Sequence, residues 1–121
     1  MQKILVINND IDTMNMLQLL LERKTGMYKV EFTSDRDAVL EIIEQFKPDL
    51  LLIDVLQKEV FPLLEGHPQA AKLPVILMTG YSVRDTAVEF KVNDIIEKPF
   101  VWEILENKVM RQFEQMNQVK I

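Results

Sequence analysis

The sequence contains no cysteine. Disulfides, thiol nucleophiles and cysteine-based zinc sites are therefore excluded. Its one histidine, His67, rules out a histidine-rich metal centre. Only three glycines occur, and no glycine-rich loop follows the first apolar run. A phosphate cradle of the dinucleotide-binding kind is not expected. Apolar runs reach only about five residues, far short of the roughly 20 that span a bilayer. No basic-then-apolar leader opens the chain, so a cytoplasmic protein without membrane contact is expected. The formal net charge of -5 argues against direct binding to nucleic acid. With 121 residues, the chain is expected to form a single domain over 1–121 with a core of its own.

What the chain does have is short apolar runs separated by helical periodicity. Ile4-Leu5-Val6-Ile7, Leu50-Leu51-Leu52-Ile53 and Val75-Ile76-Leu77-Met78 do not alternate with polar residues. Such runs predict strands covered on both faces, as in parallel sheets. A weaker strand is expected over Tyr28–Thr33, near a sheet edge, and a very short one at Ile95-Ile96. Between them lie helical patterns. The first begins at Asp12 or Thr13, which would cap it, turns Met14, Leu17, Leu20 and Leu21 inward, and stops at Gly26. The second follows a capping box of Ser34 and Asp37 and ends at Pro48. A short third helix fits Val60 to Leu64, with Pro62 in its first turn. A fourth would open at Ser82, and the last runs from about Val101 to near Val119 with Leu105, Val109, Phe113 and Met116 inward. Strand and helix alternate five times, which predicts a three-layer α/β fold. Its doubly wound five-stranded parallel sheet would have the order 2-1-3-4-5.

In such sheets, ligands bind beyond the carboxyl ends of the strands. There the sequence places Asn8, Asn9 and Asp10, then Asp54, Thr79 and Lys98. A carboxylate, a hydroxyl and an ammonium brought together can handle a phosphoryl group, the carboxylate as acceptor and the others as oxygen ligands. Strand termination or helix capping by the same residues explains them equally well one at a time.

The chain resembles the receiver domain of two-component response regulators over essentially its whole length. The resemblance is carried by Lys3–Ile7, Pro48–Asp54, Leu73–Gly80 and Asp94–Phe100, in that order. It implies the flavodoxin-like receiver fold. It also implies that Asp54 is the phosphoacceptor and that Thr79 and Lys98 contact the phosphoryl group. Pro99 would follow a structural cis bond, and Ile95 stands where the family has its switching aromatic. The resemblance further implies phosphorelay signalling with no enzymatic activity of the chain's own. The phosphoryl donor would be a histidine kinase or phosphotransfer protein. The output would be a separate protein or a fused domain outside this segment, and a homodimer could form through the fourth and fifth helices.

The metal-binding positions depart from the family pattern. Asn8 and Asn9 stand where the family has an acidic pair, so a magnesium ion held by Asn9, Asp10, Asp54 and the Leu56 carbonyl would bind weakly. The loop after Asp54, Val55–Val60, lacks the usual proline and glycine. Two readings follow: an atypical receiver phosphorylated at Asp54, or a phosphorylation-independent module that acts by protein–protein contact.

Overall fold

The computed structural model of the protein describes residues 1–80, 92–98 and 101–118, with side-chain burial described up to Gln115. The expected fourth helix from Ser82, Pro99 with its cis bond, the inward side chain of Met116 and the last helix's expected end near Val119 lie outside the described residues.

Five strands form one parallel sheet: β1 (Gln2–Ile7), β2 (Tyr28–Thr33), β3 (Leu50–Asp54), β4 (Val75–Thr79) and β5 (Asp94–Glu97), in the order β2-β1-β3-β4-β5. The described helices are α1 (Ile11–Leu17), α2 (Val39–Phe46), α3 (Val60–Glu65) and α4 (Trp102–Gln118). Among the described residues no helix is long and apolar enough to cross a membrane.

The unbroken apolar runs are explained by the two layers. Successive strand residues point to opposite faces. Ile4, Val6, Leu50, Leu52, Ile76, Met78 and Ile96 pack with Leu17 and Leu21, and with Leu105, Val109 and Phe113 of α4. Leu5, Ile7, Leu51, Ile53, Val75 and Leu77 pack on the other side with Val39 and Ile43 of α2 and Val60, Phe61 and Leu64 of α3. Each fully buried aliphatic side chain contributes about 1.5–3 kcal/mol, so both faces must be apolar. Edge strand β2 alternates instead, with Tyr28 and Val30 buried and Lys29 and Glu31 exposed. Tyr28 stacks on Phe113 at 5.6 Å between ring centroids.

Several boundaries differ from the sequence expectation. α1 is capped by Asp10, not by Asp12 or Thr13, and continues as π-helical turns over Gln18–Lys24. Gly26, at φ 66°, then turns the chain where an L side chain would be strained. The second helix is opened by Asp35, whose carboxylate accepts from the Asp37 N–H, and not by Ser34. It ends at Phe46, as expected from the proline two residues on. Lys47 takes the left-handed conformation and donates to the Ile43 carbonyl, because Pro48 disfavours a helical residue before it.

Candidate functional site

Asp54 is the last residue of β3 and is 2% exposed. Ile7 lies beside Ile53 in the sheet, so Asp54 comes next to Asn8 across the β1–β3 edge. On its other side Asp54 pairs with Met78 of β4. Its Oδ1 accepts from the Leu56 N–H at 2.8 Å, which caps the short 3-10 turn Val55–Gln57. Its Oδ2 pairs with the Lys98 ammonium. Asp54 is thus both a cap and half of a buried ion pair.

Lys98 reaches it because of how β5 ends. Thr79 lies beside Glu97, and the Lys98 N–H donates to the Thr79 carbonyl at 2.7 Å. The backbone of β4 thereby fixes the start of the lysine side chain, which crosses to β3. Thr79 is fully buried. Three residues singled out from the sequence, Asp54, Thr79 and Lys98, are therefore gathered at one sheet edge. Lys58 is exposed in the loop and is not the cation paired with Asp54.

The turn after β1 treats its three polar residues differently. Asn8 is fully buried, while Asn9 and Asp10 are exposed. The Asn8 N–H continues the ladder with β2 by donating to Thr33, and its Oδ1 accepts from the Asp10 N–H at 2.7 Å. That bond fixes the amide orientation, since only the oxygen can accept. Asn8 Nδ2 is left buried with no hydrogen-bond partner among the described residues. An unsatisfied buried donor of this kind costs about 1–3 kcal/mol.

Asp10 serves α1. Its Oδ1 accepts from the Asp12 N–H at 3.2 Å and its Oδ2 from the Thr13 hydroxyl at 2.7 Å. The Thr13 hydroxyl holds the Asp10 carboxyl below its ordinary value, opposed by partial desolvation and helped by the backbone N–H groups of Asp12 and Thr13 and by the Lys98 charge.

These residues are poorly matched to a magnesium ion. A hard dication is bound best by several carboxylates. Asp54 has one oxygen on a cation and the other on an N–H, Asp10 has both oxygens engaged, and Asn8 and Asn9 are neutral. Among the described residues no group of three acidic or histidine side chains could hold a metal.

Sequence reasoning missed three supports. Asp49, which opens the central segment, exchanges hydrogen bonds with Lys3: its N–H donates to the Lys3 carbonyl, and its Oδ2 accepts from the Lys3 N–H. Lys108 of α4 pairs with Asp94 at 2.8 Å, anchoring β5 and therefore Lys98. His67, just beyond α3, is a clip. Its Nδ1 accepts from the Ala70 N–H at 3.2 Å, so the proton sits on Nε2, which faces Glu44 at 3.0 Å. Periodicity carries no signal for any of the three. Ile95, in the position expected to carry a switching aromatic, is half-buried against the α2–α3 layer.

A parallel sheet in this order, with an acid–lysine pair at its carboxyl edge, defines a flavodoxin-like α/β protein. The chain belongs to the response regulator receiver domain family, whose sequence model matches residues 4–110. It is 31% identical over 121 residues to the transcriptional regulatory protein YxdJ of Bacillus subtilis, covering 93% of this chain and 50% of that protein. It spans 50%, 29% and 43% of the lengths of the first curated relatives it matches. Its fold is similar to the signal receiver domain of a histidine kinase from Syntrophus aciditrophicus. There the TM-score is 0.82 at 27% identity, covering 95% of this chain and 92% of that one. The receiver domain of the sensor histidine kinase PA1611 from Pseudomonas aeruginosa has the same fold, with a TM-score of 0.78 at 19% identity, covering 92% and 96%. That domain was crystallised with a magnesium ion in its active-site cleft.

Proposed function

We propose that this chain is an atypical receiver in two-component signalling whose phosphoacceptor is Asp54. A partner histidine kinase or phosphotransfer protein supplies the phosphoryl group, and Thr79 and Lys98 contact it. The signal passes to a separate output protein or to an output domain attached to the same chain. The observation that carries this reading is the buried Asp54 carboxylate at the end of β3, paired with a lysine whose backbone is fixed on Thr79. A nucleophile held in place beside an ammonium is set up for in-line attack on phosphorus, with the ammonium offsetting charge on the phosphoryl oxygens. The test is incubation with acetyl phosphate and magnesium, read by intact mass. One added phosphoryl group is expected, and none in Asp54→Asn. Labelling that survives Asp54→Asn would sink the assignment.

A second reading, a module that acts by contact without phosphorylation, is favoured by one feature. The only acidic side chain in the turn after β1, Asp10, is committed to capping α1. On that reading acetyl phosphate leaves the mass unchanged, and Asp54→Asn binds partners as the unsubstituted chain does.

A further inference from the structure

Three donors lie around Asp54, two of them already on its carboxylate and the third without an acceptor. Lys98 brings an ammonium, Leu56 a backbone N–H, and Asn8 an amide. Ile7 and Ile53 lie side by side and both enter the α2–α3 layer. The next residues along, Asn8 and Asp54, therefore face the other side together, on strands about 4.8 Å apart. On that side lie Met78 and Ile96, in the row of Asp54. Asn8 Nδ2 is thus an unpartnered donor, fully buried, on the strand next to the carboxylate.

We infer that the Asp54 site takes up its phosphoryl group without a divalent cation, with Asn8 Nδ2 donating a hydrogen bond to a phosphoryl oxygen. The inference rests on Asp54 being the acceptor. In the step itself, an Asp54 carboxylate oxygen attacks phosphorus of an acyl phosphate. The new O–P bond forms as the bond from phosphorus to the acyl oxygen breaks, and the carboxylate leaving group departs with the electron pair. No proton, oxidant or metal is needed for balance. Charge is conserved, because one carboxylate is consumed and one released. The dianionic product rests against the Lys98 ammonium and the Asn8 amide. A dication there would meet the Lys98 ammonium on the Asp54 carboxylate and, at Asn8, a neutral amide in place of a second carboxylate. Asn8 is a positioning and binding group here, not the nucleophile.

The experiment compares acetyl phosphate labelling by intact mass in EDTA and in millimolar magnesium, for the unsubstituted chain, Asn8→Asp and Asp54→Asn. Asn8→Asp keeps the Oδ1 that holds the Asp10 N–H but exchanges the donor for a second carboxylate, so Asn8→Leu, which removes the donor without adding charge, is labelled beside it, and circular dichroism checks that both fold. Expected is labelling in EDTA within about twofold of that in magnesium, and a loss of about tenfold or more in EDTA for Asn8→Leu as well as for Asn8→Asp, the scale of one charge-assisted hydrogen bond. Labelling only with magnesium overturns the inference but leaves Asp54 as acceptor. Equal labelling of Asn8→Leu in EDTA also overturns it. Absence of labelling under both conditions overturns the inference together with the phosphoacceptor reading.

Discussion

Replacing Lys98 by methionine should destabilise the fold more than neutralising its partner. Asp54 is 2% exposed, whereas the Lys98 side chain is 27% exposed. The two ends of the pair are therefore unequal. Lys98→Met leaves a buried carboxylate with one remaining hydrogen bond, from the Leu56 N–H. Removing one partner of a fully buried pair costs about 3–5 kcal/mol; water reaching the lysine side of this one lowers the expectation to about 2–4 kcal/mol. Asp54→Asn keeps the acceptor for Leu56, and the freed lysine can reach solvent on its flexible stem, so the cost should be about 0–1 kcal/mol. The double variant removes the stranded charge and should recover about 2 kcal/mol relative to Lys98→Met alone. Urea unfolding at neutral pH, followed by circular dichroism and by Trp102 fluorescence, reads all three against a total of about 5–15 kcal/mol. The reasoning is refuted if Lys98→Met is no less stable than Asp54→Asn, or if the double variant is no more stable than Lys98→Met.

Two further expectations concern pH. The Asp10 carboxyl is held below its ordinary value by the Thr13 hydroxyl. Its contribution is present above the unfolded value and is lost as pH falls through the lower folded value. The stability gap between the unsubstituted chain and Asp10→Ala should then be constant near neutrality and shrink in acid, as urea midpoints will show; a gap that is flat into acid contradicts it. Tyr28 moves the other way, raised from 10.0 by burial first and the Glu106 charge second. Its neutral ring is favoured in the folded chain, so its stabilising effect is complete below pH 10.0 and is lost as pH rises through the folded value. Tyr28→Phe keeps the stack on Phe113 and should lessen alkaline unfolding. Phenolate absorbance should show a tyrosine titrating above 10.0 that Tyr28→Phe removes, and a titration curve unchanged above that pH by Tyr28→Phe would count against it.

The sheet was legible because a strand buried on both faces has no polar residue to spare. Leu50–Ile53 could be apolar throughout only if helices covered both sides, and they do. Caps were less legible. Asp10, Asp12 and Thr13 are all good caps within one turn, and which one acts depends on where the strand releases the chain. Asp35 displaced Ser34 for the same reason. The convergence of Asp54, Thr79 and Lys98 followed from strand order, which sequence periodicity can supply. The supports that hold them, Asp49 on Lys3 and Asp94 on Lys108, join residues far apart in sequence and leave no local pattern.

The two asparagines after β1 show where pattern and geometry part. In the sequence Asn8 and Asn9 form one neutral pair in place of two acids. In the fold they have opposite fates. Asn9 is exposed, and its substitution changes charge at the rim alone. Asn8 is buried beside Asp54, with its oxygen committed to the turn and its nitrogen unpartnered. An aspartate there would put a second buried carboxylate next to the first, with the Lys98 ammonium left to offset both. Like charges so close disfavour joint ionisation. Asparagine avoids that repulsion, and the isosteric amide also reverses the polarity of one atom, from an acceptor that suits a cation to a donor that suits an oxyanion. In the cation-free uptake inferred above, Asn8 therefore carries more weight than Asn9 does.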